Sequence, residues 1–252
     1  MMLVAENITV KFGAFTAVDN VSLRIEAGEL LGLAGTNGAG KSTLFAAIAG
    51  QMPPSAGRIL FGGSDITHQP AHRRAAHGLA RTFQVPREFG SLSVLENLLA
   101  AAPNEKSESL MAAWLFRGAA ARSEKFWTLH ALEVLDMLGL SHIRDLPAAG
   151  LSGGQKKLLE LARIMMREPK VVLLDEPFAG VNPVLIGEIM KALRTLSSKG
   201  IALVVVEHHL QALKSLVSRL VVMDQGKILA EGDPAKVLDS AQVKAAYMGG
   251  VV

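Results

Sequence analysis

The chain has 252 residues, and 26 Lys+Arg against 23 Asp+Glu leave a formal charge of only +3. Half of the residues are hydrophobic and 19% charged, which excludes a disordered chain, and at roughly 150 residues per domain the length suits one large domain or one with a sizeable subdomain. The absence of cysteine excludes disulfide scaffolds, thiolate metal sites and cysteine nucleophiles, while the near-balanced charge offers a nucleic-acid partner little to hold.

Residues 3–12 and 21–26 alternate polar and apolar side chains and predict two strands. Residues 30–34 predict a short apolar strand, a glycine-rich turn follows, and a helix is expected over 41–50. A further strand is predicted over 57–61, closed by Gly62 and Gly63. From about 86 to 150 the pattern becomes helical: Ser93 and Glu96 form a capping box ahead of Leu95, Leu98 and Leu99, and a second helix is expected over 123–139. The later half alternates. A helix over 154–167 carries Leu158, Leu161, Ala162 and Met165 on one face, and the strand 171–174 follows. The next helix starts at Pro183 behind Asn182 and ends at Gly200, before strands at 201–206 and 220–223. Short apolar strands between amphipathic helices imply a parallel sheet covered on both faces. No run approaches the ~18 apolar residues of a membrane span, and the first residues lack the basic start of an export signal. A soluble, cytoplasmic protein is expected.

Gly35-Thr36-Asn37-Gly38-Ala39-Gly40-Lys41-Ser42-Thr43 fits G-x-x-x-x-G-K-S/T between a strand and a helix. Glycines let the backbone wrap so that successive N–H groups face phosphate oxygens, and the helix N-terminus adds positive potential. Lys41 would reach the β- and γ-phosphates, and Ser42 would coordinate Mg²⁺. The strand 171–174 delivers Asp175 and Glu176 at its C-terminal end. Asp175 would hold the metal, directly or through water, and Glu176 would polarise the attacking water as general base. Leu151-Ser152-Gly153-Gly154-Gln155 is a second glycine turn before a helix, with Ser152 placed to cap it and N–H groups able to meet an anion.

Taken together, these three stretches resemble the nucleotide-binding subunits of ATP-binding-cassette (ABC) proteins, whose signature is Leu-Ser-Gly-Gly-Gln. The resemblance covers essentially the whole chain. It implies an α/β fold: a P-loop NTPase (RecA-like) core with a parallel sheet, an N-terminal antiparallel β region and an inserted α-helical subdomain. Within a single ABC ATPase domain, 1–252, the core would be 1–85 and 156–232, the helical subdomain 86–155, and a helical tail 233–252.

The same resemblance implies roles for single residues. Phe12 stands where the family stacks an aromatic ring on adenine; the alternative is a core-facing strand residue. Gln84 matches the glutamine at the junction of core and helical subdomain, which touches Mg²⁺ or the attacking water. His208 matches the switch histidine at the γ-phosphate, and its neighbour His209 is given no role. Thr36 replaces a common proline, with little consequence expected because its backbone still serves. Gly180 and Asn182 lie in a loop that faces the opposite subunit; Asn182 replaces a common aspartate and either caps the next helix or communicates between sites.

In the family, ATP is sandwiched between Lys41 of one subunit and Ser152, Gly153 and Gly154 of another, and its hydrolysis releases the pair. Gly78 to Gln84, Glu96-Asn97-Leu98-Leu99 and Glu207-His208-His209-Leu210 resemble the larger ATPase subunit of branched-chain amino-acid, urea or amide importers. Such a subunit works with a second ATPase subunit, as a homo- or heterodimer, and two transmembrane permease subunits at the cytoplasmic face of the cell membrane. A periplasmic or extracellular solute-binding protein is an indirect partner, and no nucleic acid is expected. Residues 175–181 also resemble lipopolysaccharide-export ATPases. A soluble ABC ATPase acting on nucleic acid is a third reading, set against by the single cassette and the lack of zinc modules.

Two other features admit competing readings. His68, His72 and His77 invite a metal site, but Pro70 intervenes, no carboxylate completes a shell, and Arg73 and Arg74 add positive charge. A solvated basic face is expected there. Trp114 and Trp127, with Leu110, Met111, Leu115 and Phe126, would either dock another subunit or pack a small helical lobe.

Overall fold

The computed structural model describes residues 1–82, 88–103 and 117–249. They form two compact units, one made from the described residues of Met1–Gln84, Pro169–Ala179 and Leu193–Val252, the other from those of Val85–Glu168 and Gly180–Ala192.

The first unit holds both sheets. Strands β1 (Leu3–Phe12), β2 (Phe15–Ile25), β4 (Ala56–Phe61) and β5 (Ser64–Asp65) form an antiparallel sheet in the order β2-β1-β4-β5. The second sheet is built from β3 (Leu30–Gly35), β6 (Leu79–Arg81), β7 (Val171–Asp175), β8 (Ala202–Val206), β9 (Arg219–Asp224) and β10 (Lys227–Gly232). Its order is β10-β9-β3-β8-β7-β6, parallel from β9 to β6 with β10 antiparallel at the edge. Every residue of β3, β7 and β8 is buried, as expected for parallel strands covered on both faces. Leu31, Leu33, Ile59, Leu173, Val204 and Val221 share one core with Phe45 and Ile48 of helix α1 (Lys41–Ile48).

The strand register sets the site. Asp175 pairs with Val206 across β7 and β8, Leu33 pairs with the same Val206 from β3, and Gly35 pairs with Met223 of β9. The C-terminal ends of adjacent parallel strands therefore meet at one rim, where open α/β sheets bind ligands.

Several elements depart from the sequence pattern. Strand β2 begins at Phe15 rather than 21, pairing with β1 as far as Phe12↔Phe15; Asn20, in a left-handed conformation (φ 54°), and a run of register shifts obscure the alternation. The three-residue strand β6 was not expected, being too short to show a period. Helix α2 (Ala71–His77) was not expected either. His68, His72, Arg73 and His77 are exposed, but Arg74 does not belong to a solvated face, having only 1% exposure. Its guanidinium donates to the carbonyls of Ala47 (2.8 Å) and Ile48 (2.6 Å) at the C-terminus of α1, and to those of Thr67 (2.7 Å) and Gln69 (2.8 Å) in the loop before α2.

The second unit contains α3 (Val94–Leu99), α4 (Arg117–Met137) and α5 (Gly153–Met165). The Ser93 and Glu96 capping box is present: Glu96 N donates to Ser93 Oγ (3.2 Å), and Ser93 N donates to Glu96 Oε2 (2.7 Å). Asn97, fully buried, shapes the turn before it by donating to the carbonyls of Phe89, Leu92 and Ser93 and accepting from Phe89 N. Trp127 packs edge-on against Phe126 and His130; Leu110, Met111, Trp114 and Leu115 lie outside the described residues. Helix α6 (Pro183–Ser198) starts where Asn182 predicts, with Leu185 N donating to Asn182 Oδ1 at 3.0 Å. The chain closes through α7 (Leu210–Leu216), α8 (Pro234–Asp239) and α9 (Ala241–Gly249). Among the described residues, no helix is long and apolar enough to cross a membrane.

Candidate functional site

The glycine-rich loop leaves β3 at Gly35 and enters α1 through Gly40. Both positions need glycine. Gly40 is left-handed (φ 94°), and a Cβ there would lie 2.3 Å from the Ala17 carbonyl oxygen; at Gly35 it would lie 2.2 Å from that of Met223. Gly38 (φ 79°) has open space where a Cβ would stand, and Asn37 beside it is exposed. The loop thus rests on β2 and β9 while its crest faces outward. Thr36 is more than a tolerated replacement: its hydroxyl donates to Asp224 Oδ1 (2.9 Å), tying the crest to the end of β9.

Lys41, only 6% exposed, folds back over the loop and donates to the carbonyls of Gly35 (2.9 Å) and Thr36 (2.8 Å). Burial pushes its ammonium below the usual lysine range, while the negative charges of Glu176 and Asp175 oppose that shift. A cation held this way has only neutral carbonyls as direct partners, so an anion at the crest could recruit it. Ser42, next in the helix, is exposed, and Thr43 is partly so.

Asp175 ends β7 with its carboxylate against Arg81, Oδ2 to Nη2 at 2.7 Å. Its amide donates to Thr82 Oγ1 (3.0 Å). Glu176 follows in a left-handed conformation (φ 49°), which points its side chain out of the strand, and Oε1 lies 2.9 Å from His208 Nε2. A non-glycine residue held there carries strain of order 1–2 kcal/mol. His209 caps α7, accepting from Ala212 N at Nδ1 (3.3 Å).

Phe12 is 51% exposed at the tip of the β1–β2 hairpin, which rules out the core-facing alternative. That hairpin reaches the loop through Ala17 at Gly40, and indirectly through Asp19 N donating to the carbonyl of Gly226, whose own amide donates to the Ala39 carbonyl of the loop. The first unit therefore collects Phe12, residues 35–43, Asp175, Glu176 and His208. Ser152, Gly153, Gly154, Gln155, Gly180 and Asn182 belong to the other unit. There Ser152 caps α5 in a capping box, accepting from Gln155 N (3.4 Å) while Gln155 Oε1 accepts from Ser152 N (2.9 Å). Ser152 and Gly153 are exposed, whereas a Cβ at Gly154 would lie 2.8 Å from Leu185. Asn182 performs its capping role, and Gln84 lies outside the described residues.

Residues 18–179 match the profile of the ABC transporter family. The chain belongs to this family.

It is an ABC transporter ATPase, an ATP-binding and ATP-hydrolysing subunit. The probable branched-chain amino acid transport ATP-binding protein LivG of Archaeoglobus fulgidus is 35% identical, over 98% of this chain and 95% of its own. The lipopolysaccharide export system ATP-binding protein LptB of Haemophilus influenzae is also 35% identical, over 98% and 97%. A solved nucleotide-free ATP-binding cassette from an ABC transporter superposes with a TM-score of 0.84 at 36% identity, covering 98% of both chains. The P-loop NTPase fold of this ABC ATPase follows from that likeness.

Sequence reasoning missed two side chains at the rim of the ABC ATPase. Arg81 is joined to Asp175, donates to Gln51 Oε1 (2.7 Å) and lies 5.9 Å from the Phe45 ring centroid. Glu207 is buried between the Glu176 turn and His208. Both sit beside recognised motifs, but neither residue type alone signals a partner so distant in sequence.

Proposed function

We propose that this ABC ATPase drives a membrane transporter that imports branched-chain amino acids or related small polar solutes, through ATP-dependent closure of two ATPase subunits. The observation that carries the reading is the meeting of Lys41, Asp175, Glu176 and His208 at the ends of β3, β7 and β8. In this reading Phe12 stacks on adenine, the amides of residues 35–43 receive the phosphates, and Lys41 leaves its carbonyls for the β- and γ-phosphates. Ser42 and Asp175 offer hard oxygen donors that suit Mg²⁺, with Gln84 the third residue assigned there. Bound Mg²⁺ would supply charge neutralisation at the phosphates. Glu176 accepts the proton of the attacking water, and His208 fixes that carboxylate and meets the γ-phosphate.

Ser152, Gly153, Gly154 and Gln155 serve the nucleotide of a second subunit, with Gly180 and Asn182 in the loop that faces it. The exposure of Ser152, Gly153, Gly180 and Asn182 supports this role. Two permease subunits would hold the dimer at the cytoplasmic face of the membrane, and a solute-binding protein would deliver cargo from outside. Import is supported by the LivG likeness; the equal identity to LptB supports lipopolysaccharide export as the second reading. Glu176→Gln should keep ATP binding, lose turnover and accumulate a closed dimer on size exclusion. Undiminished hydrolysis would remove Glu176 from its role. Transport of leucine by the reconstituted complex, set against lipopolysaccharide release, separates the two cargoes.

A further inference from the structure

Glu207 is a buried carboxylate, 4% exposed, that the hydrolytic scheme leaves without a task. Its neighbours give it one. Oε1 accepts from the backbone amide of Phe178 (2.6 Å), and Oε2 accepts from that of His208 (3.2 Å). One side chain thus spans the two segments that present the acid and the histidine. The amide of Glu176 itself donates to the Val206 carbonyl (2.9 Å), so the turn 176–178 hangs from residues 206 and 207 at two points.

The turn needs such a restraint. Glu176 is left-handed at φ 49°, a conformation that relaxes unless its surroundings hold it. Phe178 is buried at 4% exposure, so its amide has no easy recourse to water. Burial pushes the Glu207 carboxyl upward, and the amides of Phe178, His209 and His208 pull against that rise. The nearby Glu176 charge adds to the rise. Placing an acid here therefore costs stability, and a neutral acceptor for a single amide would be cheaper. A carboxylate has two oxygens and no donor, which is what several converging N–H groups require.

We propose that Glu207 is a positioning residue: its carboxylate locks the Glu176 turn to the backbone of His208 and so fixes the Glu176–His208 contact that orients the attacking water. This rests on the reading of Glu176 and His208 as the hydrolytic pair. Glutamine at 207 keeps one acceptor, for Phe178, but turns an amino group toward the His208 amide. Alanine keeps neither acceptor, and the turn can swing by the ångström-scale distance that costs hydrolysis dearly.

The test is steady-state hydrolysis and equilibrium ATP binding for the full-length wild type, Glu207→Gln, Glu207→Ala and Glu176→Gln. Glu207→Ala should lower kcat by about 10–100-fold, with Glu207→Gln in between. The Kd for ATP, measured with EDTA so that turnover is absent, should stay within about threefold for both. A wild-type kcat in Glu207→Ala overturns the proposal, and so does a loss of ATP affinity parallel to kcat, the mark of general structural damage. If the alanine variant does not fold, Glu207→Gln decides: several-fold lower kcat at unchanged Kd supports the lock, and wild-type kcat refutes it. Normal turnover by Glu176→Gln would instead defeat the hydrolytic pair, whereas an inert Glu176→Gln beside a fully active Glu207→Ala defeats the lock alone.

Discussion

The pair Arg81–Asp175 makes a quantitative prediction without nucleotide. The two side chains are 15% and 11% exposed and meet at 2.7 Å. With charge centres about 4 Å apart and an effective dielectric of about 20, their gross attraction is roughly 4 kcal/mol. Desolvation offsets most of it, so the pair adds little net stability, but removing one partner strands the other. Arg81→Met leaves the Asp175 carboxylate without its cation and should cost about 3 kcal/mol. Asp175→Asn costs less, because Arg81 keeps Gln51 and the Phe45 ring. The double variant should therefore be more stable than the sum predicts, with a coupling of about 1.5–3 kcal/mol. Urea unfolding by circular dichroism, without Mg²⁺ or nucleotide, measures all corners of the cycle. Additivity within about 0.5 kcal/mol would refute the reasoning.

Substitutions at two further positions test the frame beneath the site. Arg74→Ala removes the buried guanidinium from the carbonyls of Ala47, Ile48, Thr67 and Gln69 and should destabilise by about 3 kcal/mol in the same urea assay; Arg74→Lys should recover less than half, since one ammonium cannot fork to the same carbonyls. Gly40→Ala places a Cβ 2.3 Å from the Ala17 carbonyl oxygen in a left-handed residue and should weaken ATP binding by about tenfold or more by calorimetry. Binding within about twofold of wild type would show that the loop is not held as described.

The phosphate loop, the acidic strand end and the signature turn were legible because each is local. Glycines and a lysine declare themselves within nine residues, from Gly35 to Thr43, directly after the short apolar run 30–34. The capping roles of Ser93 and Asn182 were legible for the same reason. What escaped was set by tertiary contact. Arg81 and Asp175 are 94 residues apart, and Phe178 and Glu207 are 29 apart. Arg74 sits in a basic, histidine-rich stretch whose other charges do face solvent, so composition pointed outward, while the carbonyls of Ala47, Ile48, Thr67 and Gln69 explain its burial. Thr36 looked like a neutral loss of proline until Asp224 supplied its partner. Strand β6 is three residues long and carries no period, yet it delivers Arg81 and Thr82 to Asp175.

We propose an ATP site completed by the exposed Ser152–Gly153 turn of another subunit. The most direct test is specific ATPase activity against concentration, over about two decades bracketing dissociation of the assembly. Activity per molecule should rise with concentration, or with added partner ATPase subunit, and collapse on dilution. Full, constant activity at dilutions where light scattering shows only single copies would contradict it.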